Sequence, residues 1–346
     1  MNAGNFVIGI AGDGKMGTNI FNYLFDFPFP LIWKCHPSSD TDRLRRNVEK
    51  KLRRAGESGI LDEKVLAIRH ASTLVTSRDE DLAGCSLLIE SISEDRELKL
   101  NFFRTVDRII AQECIFTSNS SSILPSELCP STGRLENFAG LHFFYPVALK
   151  NIVELTLPKG TSGGTRQTLL DFLGAIRRNF LLLTESNSFI LNRIFLDFQN
   201  EAFRLVQDSN ITFRRMDRIV TENFFQAGVF CFFDSVGLDT MLASVKNYTR
   251  DYPHKDYYAG LIRDLEQRVQ RGDLGQKSGR GYYDYPGSGE PPVPESDPGM
   301  TGEIVTHLRH TLISAIKRFG ARSGIPLDEL KDSLNEYFGV EWNLFP

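Results

Sequence analysis

This 346-residue chain is poor in cysteine, in long apolar runs and in excess charge. Its five cysteines, Cys35, Cys85, Cys114, Cys129 and Cys231, are odd in number and scattered. They form no CxxC pair and no cluster with histidine. That argues against a disulfide framework and against a metal site, and leaves reduced, mostly buried thiols. The longest apolar stretch, around Val229–Phe233, falls far short of the ~20 residues a membrane-spanning helix needs. Lys and Arg number 40 against 44 Asp and Glu, a formal net charge of −4, so bulk electrostatics does not point to nucleic acid. A strand beginning six residues in leaves no room for a cleaved leader, and a soluble cytoplasmic protein is the expectation.

What is present suffices for real cores. Hydrophobic residues make up 41% of the chain, and its length suits two or three domains. Up to about residue 184, short apolar stretches alternate with helical patterns. Strands are predicted at FVIGI (6–10), PLIWKC (30–35), SLLIES (86–91), CIFTSN (114–119), FAGLHF (138–143), NIVELT (151–156) and FLLLT (180–184). Helices such as 42–55 and 97–111 lie between them. Such alternation predicts a parallel sheet covered by helices. From Ser186 the period becomes helical, with Ile190, Ile194, Phe198, Ala202 and Leu205 on one face. The expected fold class is α/β: a Rossmann-type dinucleotide-binding domain over 1–185, then an all-α domain over 186–286. Composition makes 287–300 a linker, and 301–346 a helical tail. Slid by 114 residues, Ile304, Leu308, Leu312, Ile316 and Ile325 of the tail fall on Ile190, Ile194, Phe198, Ala202 and Ile211. The tail is therefore either a truncated repeat of the helical module or an unrelated pair of amphipathic helices.

The stretch FVIGIAGDGKMGTNIF (6–21) sets Gly12, Gly14 and Gly17 between an apolar strand and an amphipathic helix. In a Rossmann turn the first glycine makes the bend, the second lets backbone approach a pyrophosphate, and the third packs helix on strand. The helix N-terminus then faces the phosphates with unpaired N–H groups. A plain strand–turn–helix would read the same, but a second strand follows at the expected distance. One part is lacking. An acid for the ribose hydroxyls belongs ~20 residues on, at the end of the second strand. Here that place reads Leu31-Ile32-Trp33-Lys34-Cys35-His36, and Asp40 and Asp42 come late. Lys34, Ser38 and Ser39 offer themselves to a 2′-phosphate instead, so NADP stays open beside NAD.

Two later stretches say more: TSNSSSIL (117–124) and GLHFFYPVALKNIVEL (140–155). With ESNSFILNR (185–193), DSVGLDT (234–240) and LGQKSGRGYYDY (274–285), the chain resembles the L-3-hydroxyacyl-CoA dehydrogenase family over about residues 5–285. The resemblance implies an NAD(P)-dependent oxidoreductase interconverting 3-hydroxyacyl and 3-ketoacyl thioesters, with an acyl-CoA as substrate. It carries catalytic roles onto Ser121, His142, Glu154 and Asn192. Ser121 stands 21 residues before His142, Glu154 lies 12 after it, and Asn192 lies 38 after Glu154. It implies cofactor contacts at Gly12, Gly14, Lys15, Met16, Gly17, Glu94, Lys99 and Asn119, and no metal. It further implies a site between the two domains and a homodimer paired through the helical domain. In longer multifunctional relatives a second helical repeat replaces the partner, and the tail is a candidate for that part.

The chemistry agrees with these assignments. Oxidising a secondary alcohol needs a base for the hydroxyl proton while hydride leaves for a nicotinamide, and imidazole titrates near neutrality. A lone histidine is more often structural. Paired with Glu154 on the next strand, which would orient its ring, His142 reads as catalytic. Ser121 and Asn192 suit holding a substrate oxygen, or else capping a loop and a helix. Glu94 and Lys99 also read as an ordinary pair at a helix start.

Three departures from the family pattern stand out: Cys35 in place of the ribose acid, HFFYP with Tyr145 in place of HFFNP, and Asn187-Ser188-Phe189 in place of PGF. The last two fall on the substrate side, which leaves the acyl group open. FFQAGVFCFF (224–233) is either an acyl contact or core. The stretch RLRRNVEKKLRR (43–54) carries Arg43, Arg45, Arg46, Lys50, Lys51, Arg53 and Arg54. It offers a face to CoA phosphates, to an acidic acyl carrier protein, or simply to solvent. A dehydrogenase of a free hydroxy acid and a non-catalytic cofactor-binding protein are the rival readings.

Overall fold

The computed structural model describes residues 5–59, 61–209, 211–250, 255–285 and 298–339, so most of the linker expected at 287–300 lies outside the described residues. The chain divides into two compact units, Met1–Ser188 and Phe189–Pro346.

The first unit is one sheet of eight strands: β1 (Ile8–Ala11), β2 (Leu31–Lys34), β3 (Thr73–Thr76), β4 (Leu87–Glu90), β5 (Ile115–Ser118), β6 (Phe138–Phe143), β7 (Ile152–Leu157) and β8 (Asn179–Thr184). Their order is β3-β2-β1-β4-β5-β6-β7-β8. Successive side chains of a strand point to opposite faces, and helices cover both faces here. Ile8, Ile10, Leu31, Trp33, Leu87 and Ile89 join one core, with Ile20, Phe21 and Leu24 of α1 (Lys15–Leu24), Val48 and Leu52 of α2 (Thr41–Ser58), and a helix described below. Leu88, Phe116 and Phe138 join the other.

Two features depart from the sequence expectation. First, α3 (Glu63–Ser72) and β3 were not marked by any apolar run, because only two of the four β3 residues are buried. The helix nonetheless carries Arg69, whose buried guanidinium donates to the carbonyls of Leu24, Phe25, Phe27 and Phe29 and fixes the phenylalanine-rich link into β2. Second, the sheet is not wholly parallel: β6 and β7 pair antiparallel. The 144–151 connection between them is too short for the crossover a parallel pair requires.

The remaining helices of this unit are α4 (Arg96–Asp107), α5 (Pro125–Leu128) and α6 (Gly163–Ala175). Leu100, Phe103 and Val106 of α4 fill the second core, and Leu169, Phe172 and Leu173 of α6 complete the first.

The second unit is helical: α7 (Ile190–Ser209), α8 (Phe213–Asn223), α9 (Val229–Val236), α10 (Leu238–Thr249), α11 (Ala259–Arg271), α12 (Pro298–Ser323) and α13 (Leu327–Phe338). Helix α12 packs along α7, and Ile190, Ile194, Phe198 and Ala202 are buried as are Ile304, Leu308, Leu312 and Ile316. α7 ends at Ser209 and α12 at Ser323; α8 starts at Phe213 and α13 at Leu327. Both pairs of boundaries differ by the same 114 residues.

Phe224, Phe225, Phe230 and Phe233 are buried; Phe224 and Phe225 pack on Phe198, and Phe230 and Phe233 on Tyr282. The aromatic run is core. Two of the quoted motifs meet each other. Asp234 accepts the N–H groups of Tyr282 (2.9 Å) and Tyr283 (3.0 Å), and Lys277 lies 2.6 Å from Asp239. A side chain at position 281 would collide with the Asp234 carboxylate, so DSVGLDT and GRGYYDY form one joint. No described helix is long and apolar enough to cross a membrane.

Candidate active site

The glycine turn is built for close approach. Gly12 adopts φ +117°, a region L side chains rarely enter, and a Cβ there would strike the Ser91 carbonyl. A Cβ on Gly17 would strike the carbonyl of Gly12. Over Gly14 nothing lies within 4 Å of such a Cβ. No side chain caps α1 at Gly14, which leaves its first N–H groups to a ligand. The Trp33 indole braces the turn from β2 with a 2.9 Å hydrogen bond to the Gly12 carbonyl. These features fit a dinucleotide pyrophosphate. Met16 packs on the sheet, and the Lys15 ammonium stands 4.1 Å from the centre of the Tyr145 ring.

At the end of β2 the Cys35 thiol is buried, and burial pushes its pKa up to about 12. Lys34 is ion-paired with Asp79 at 2.9 Å. Asp13, inside the turn, accepts the His36 N–H at 3.0 Å and the Ser39 hydroxyl at 2.5 Å. Ser38 hydrogen-bonds the His36 ring at 2.7 Å.

A serine loop follows β5. Glu94 takes the hydroxyls of Ser120 (2.5 Å) and Ser122 (2.9 Å) and the N–H groups of Ser121 (3.1 Å) and Ser122 (3.2 Å). Lys99 lies behind it, with no exposed surface. Its ammonium is 2.5 Å from Glu90 and 3.3 Å from Glu94. Burial pushes the Glu94 carboxyl up, but Lys99 and the serine hydroxyls outweigh it and hold the carboxyl below its ordinary range. The same two acids outweigh burial at Lys99 and raise its pKa. Lys99 therefore holds Glu94, and through it the serine loop, in place.

Glu90 was not singled out from sequence. Its signal is an acid ending an otherwise apolar central strand; it also receives the Ser118 hydroxyl at 2.6 Å and the Ile92 N–H at 2.8 Å. Asn119, next along, accepts the Phe143 N–H at 2.8 Å and so ties the end of β5 to the strand that carries His142.

His142 and Glu154 face each other across the β6–β7 pair, and His142 Nδ1 lies 2.9 Å from Glu154 Oε2. Both are buried, 6% and 1% exposed. The Phe144 ring sits 4.4 Å from the imidazole. With Nδ1 on the carboxylate, proton exchange with a ligand would fall to Nε2. A spacing of 12 residues makes a contact here because the pair is antiparallel.

Asn192 belongs to the second unit, in the first turn of α7. Its Nδ2 donates to the Tyr248 hydroxyl and its Oδ1 accepts from the Tyr337 hydroxyl, each at 3.0 Å. The substituted Asn187 forms a capping box with Thr184 before α7.

Two family models match this chain. One, 3-hydroxyacyl-CoA dehydrogenase, NAD binding domain, covers residues 7–186. The other, 3-hydroxyacyl-CoA dehydrogenase, C-terminal domain, covers 189–285. A probable 3-hydroxybutyryl-CoA dehydrogenase of Deinococcus radiodurans is 30% identical over 281 residues, 80% of this chain and 99% of that protein. The structure of (S)-3-hydroxybutyryl-CoA dehydrogenase PaaH1 from Ralstonia eutropha aligns with TM-score 0.70 and 28% identity, over 81% of this chain and 99% of that one. The dehydrogenase part of multifunctional enzyme 1 from C. elegans aligns over 98% of this chain and 79% of that one, with TM-score 0.56 and 22% identity. That is a likeness of fold alone, and it runs into the tail. Matches of the two models over residues 7–186 and 189–285, most of the chain, make it a member of the 3-hydroxyacyl-CoA dehydrogenase family.

Proposed function

We propose that this chain interconverts a 3-hydroxyacyl-CoA and its 3-ketoacyl-CoA by hydride transfer with NAD. The observation that carries this reading is the buried His142–Glu154 pair. In oxidation His142 Nε2 takes the proton of the substrate hydroxyl, and Glu154 stabilises the imidazolium and keeps the ring aimed. In reduction His142 returns that proton to the carbonyl oxygen. A nicotinamide bound along the glycine turn supplies or accepts the hydride. Ser121 and Asn192 hold the substrate oxygen in register.

Support for NAD over NADP comes from charge. The three residues that sequence offered to a 2′-phosphate are engaged: Lys34 by Asp79, Ser39 by Asp13 and Ser38 by His36. A phosphate would meet Asp13 and Asp79 there. Each Asp13 oxygen keeps a lone pair beyond the bond it accepts, so Asp13 takes over the ribose hydroxyls from the absent strand-end acid. For the thioester, Lys50 and Arg54 line an open pocket of about 560 Å³ together with Asp26, Asn47, Ser58 and Lys51, the last bonded to Asn22, and offer a basic face to a nucleotide group of CoA.

We read the tail as a truncated second copy of α7–α8, on the strength of the shared 114-residue offset and the packing of α12 on α7. It then covers in cis the face through which family members pair, and the chain is a monomer. Light scattering that finds a dimer overturns this.

The test is oxidation of NADH and of NADPH by purified protein with acetoacetyl-CoA, beside His142→Ala. NADH oxidation that disappears in the variant is expected. Oxidation of NADPH alone defeats the cofactor reading. Bound NADH with no turnover defeats the reaction.

A further inference from the structure

We infer that the tail supplies a positioning residue for the reaction: Tyr337, in the last turn of α13, acts through Asn192. The inference rests on the proposed role of Asn192. Neither family model extends past residue 285, so Tyr337 lies outside both. Yet its hydroxyl donates to Asn192 Oδ1 at 3.0 Å, while Tyr248 receives from Nδ2 at 3.0 Å. A phenol stands at each end of one amide and holds its plane. An amide NH₂ carries two N–H groups. One goes to Tyr248, and the other has no protein partner among the described residues. The clamp thus presents Asn192 as a donor, which suits a carbonyl oxygen or a developing alkoxide.

The tail holds Tyr337 firmly enough for this. Arg318 pairs with the buried Asp197 on α7, and His307 lies 2.7 Å from Glu201 on the same helix. Asp197 also receives the Tyr258 hydroxyl. Beside Tyr337, the Phe338 ring packs 4.3 Å from Phe225 and 4.9 Å from Phe195. Gly339, with φ +69°, closes the helix directly after them. Residues 106 to 145 positions along the chain from α7 therefore brace it. A small misplacement of a donor costs rate without costing ligand affinity.

The experiment is a double-mutant cycle on full-length protein with acetoacetyl-CoA and NADH, using Tyr337→Phe, Asn192→Ala and both together. Tyr337→Phe keeps the ring and removes one hydrogen bond. It should lower kcat about fivefold, with KM for NADH unchanged. In the Asn192→Ala background the same change should cost nothing further. Equal losses in both backgrounds, or no loss with Tyr337→Phe while Asn192→Ala slows the enzyme, overturn the inference alone. An Asn192→Ala variant at full rate overturns it by removing its premise. Wild-type protein that binds NADH but does not turn over brings down the functional reading, and this inference with it.

Discussion

Glu94 in the first unit and Asp234 in the second are both acids drawn out of bulk water, and each gathers a loop around itself. Glu94 receives two serine hydroxyls and two backbone N–H groups. Asp234 receives two backbone N–H groups and the Tyr285 hydroxyl. Their titration nevertheless shifts in opposite directions. Lys99 and the serines hold Glu94 below the ordinary carboxylate range. At Asp234 burial dominates and its pKa rises; Asp217, bonded to Phe230, Cys231 and Tyr283, behaves alike. The difference lies in how the cation weighs against burial: Lys99 stands 3.3 Å from Glu94, whereas the pull of Arg268 on Asp234 does not offset burial. A lysine sealed behind the serine loop fixes a permanent charge pattern beside the glycine turn. In the helical unit these two aspartates serve as joints between chain segments, and their charge is incidental to the job.

The largest effect should come from removing that cation. In Lys99→Met, Glu90 keeps its place with no exposed surface and no counter-charge. Breaking one side of a buried ion pair costs ~3–5 kcal/mol. Urea unfolding should show that loss, and NADH affinity should fall as the serine loop loosens. Wild-type stability in this variant would remove the distinction between the units.

The next effect separates charge used in chemistry from charge used in architecture. Glu154→Gln preserves size and cross-strand position but no longer stabilises an imidazolium. We expect kcat to drop ~100-fold with a melting temperature close to wild type. A drop in stability with kcat preserved would make the pair structural, like the aspartates of the helical unit. Third comes Gly281→Ala. A Cβ at 281 meets the Asp234 carboxylate, so the joint must open, at a cost of ~1–3 kcal/mol in overpacking. Calorimetry should show a lowered transition, and NADH binding should not change.

Much of this was legible in the sequence where burial was two-sided. β1, β4 and β5 are buried at every position; β1 reads as an apolar run, and β4 and β5 begin as one before ending in Glu90 and in Thr117-Ser118. β3 lies at the edge, half exposed, and left no such mark. The His142–Glu154 spacing was legible as a family pattern, while its cause, an antiparallel pair inside a largely parallel sheet, was not, because alternation of elements carries no strand direction. The Rossmann pattern expects a ribose acid at the end of β2, whereas Asp13 reaches that place from the turn. Tyr337 was beyond reach for a different reason. Its contact with Asn192 spans 145 residues and depends on how α12 and α13 fold back on α7, which no local period encodes.

The smallest effect is the one that tests the comparison by sign. Glu94 titrates lower in the folded state than unfolded. Its contribution is therefore full above the ordinary carboxylate value of about 4.3, and is lost as pH falls through the depressed folded value. Asp234 titrates higher folded than unfolded. Between about 3.9 and its raised folded value the native state holds the extra proton, so stability from this group grows as pH falls. Urea midpoints of wild type, Glu94→Gln and Asp234→Asn from neutral pH to about 3.5 should then diverge. The deficit of Glu94→Gln relative to wild type should shrink on acidification. Wild type should gain on Asp234→Asn over the same range. Both differences should be well below the effect of Lys99→Met, so the sign is the readout. Curves that move together would mean that the buried lysine does not distinguish the two acids, and that their different surroundings are equivalent ways of holding a loop.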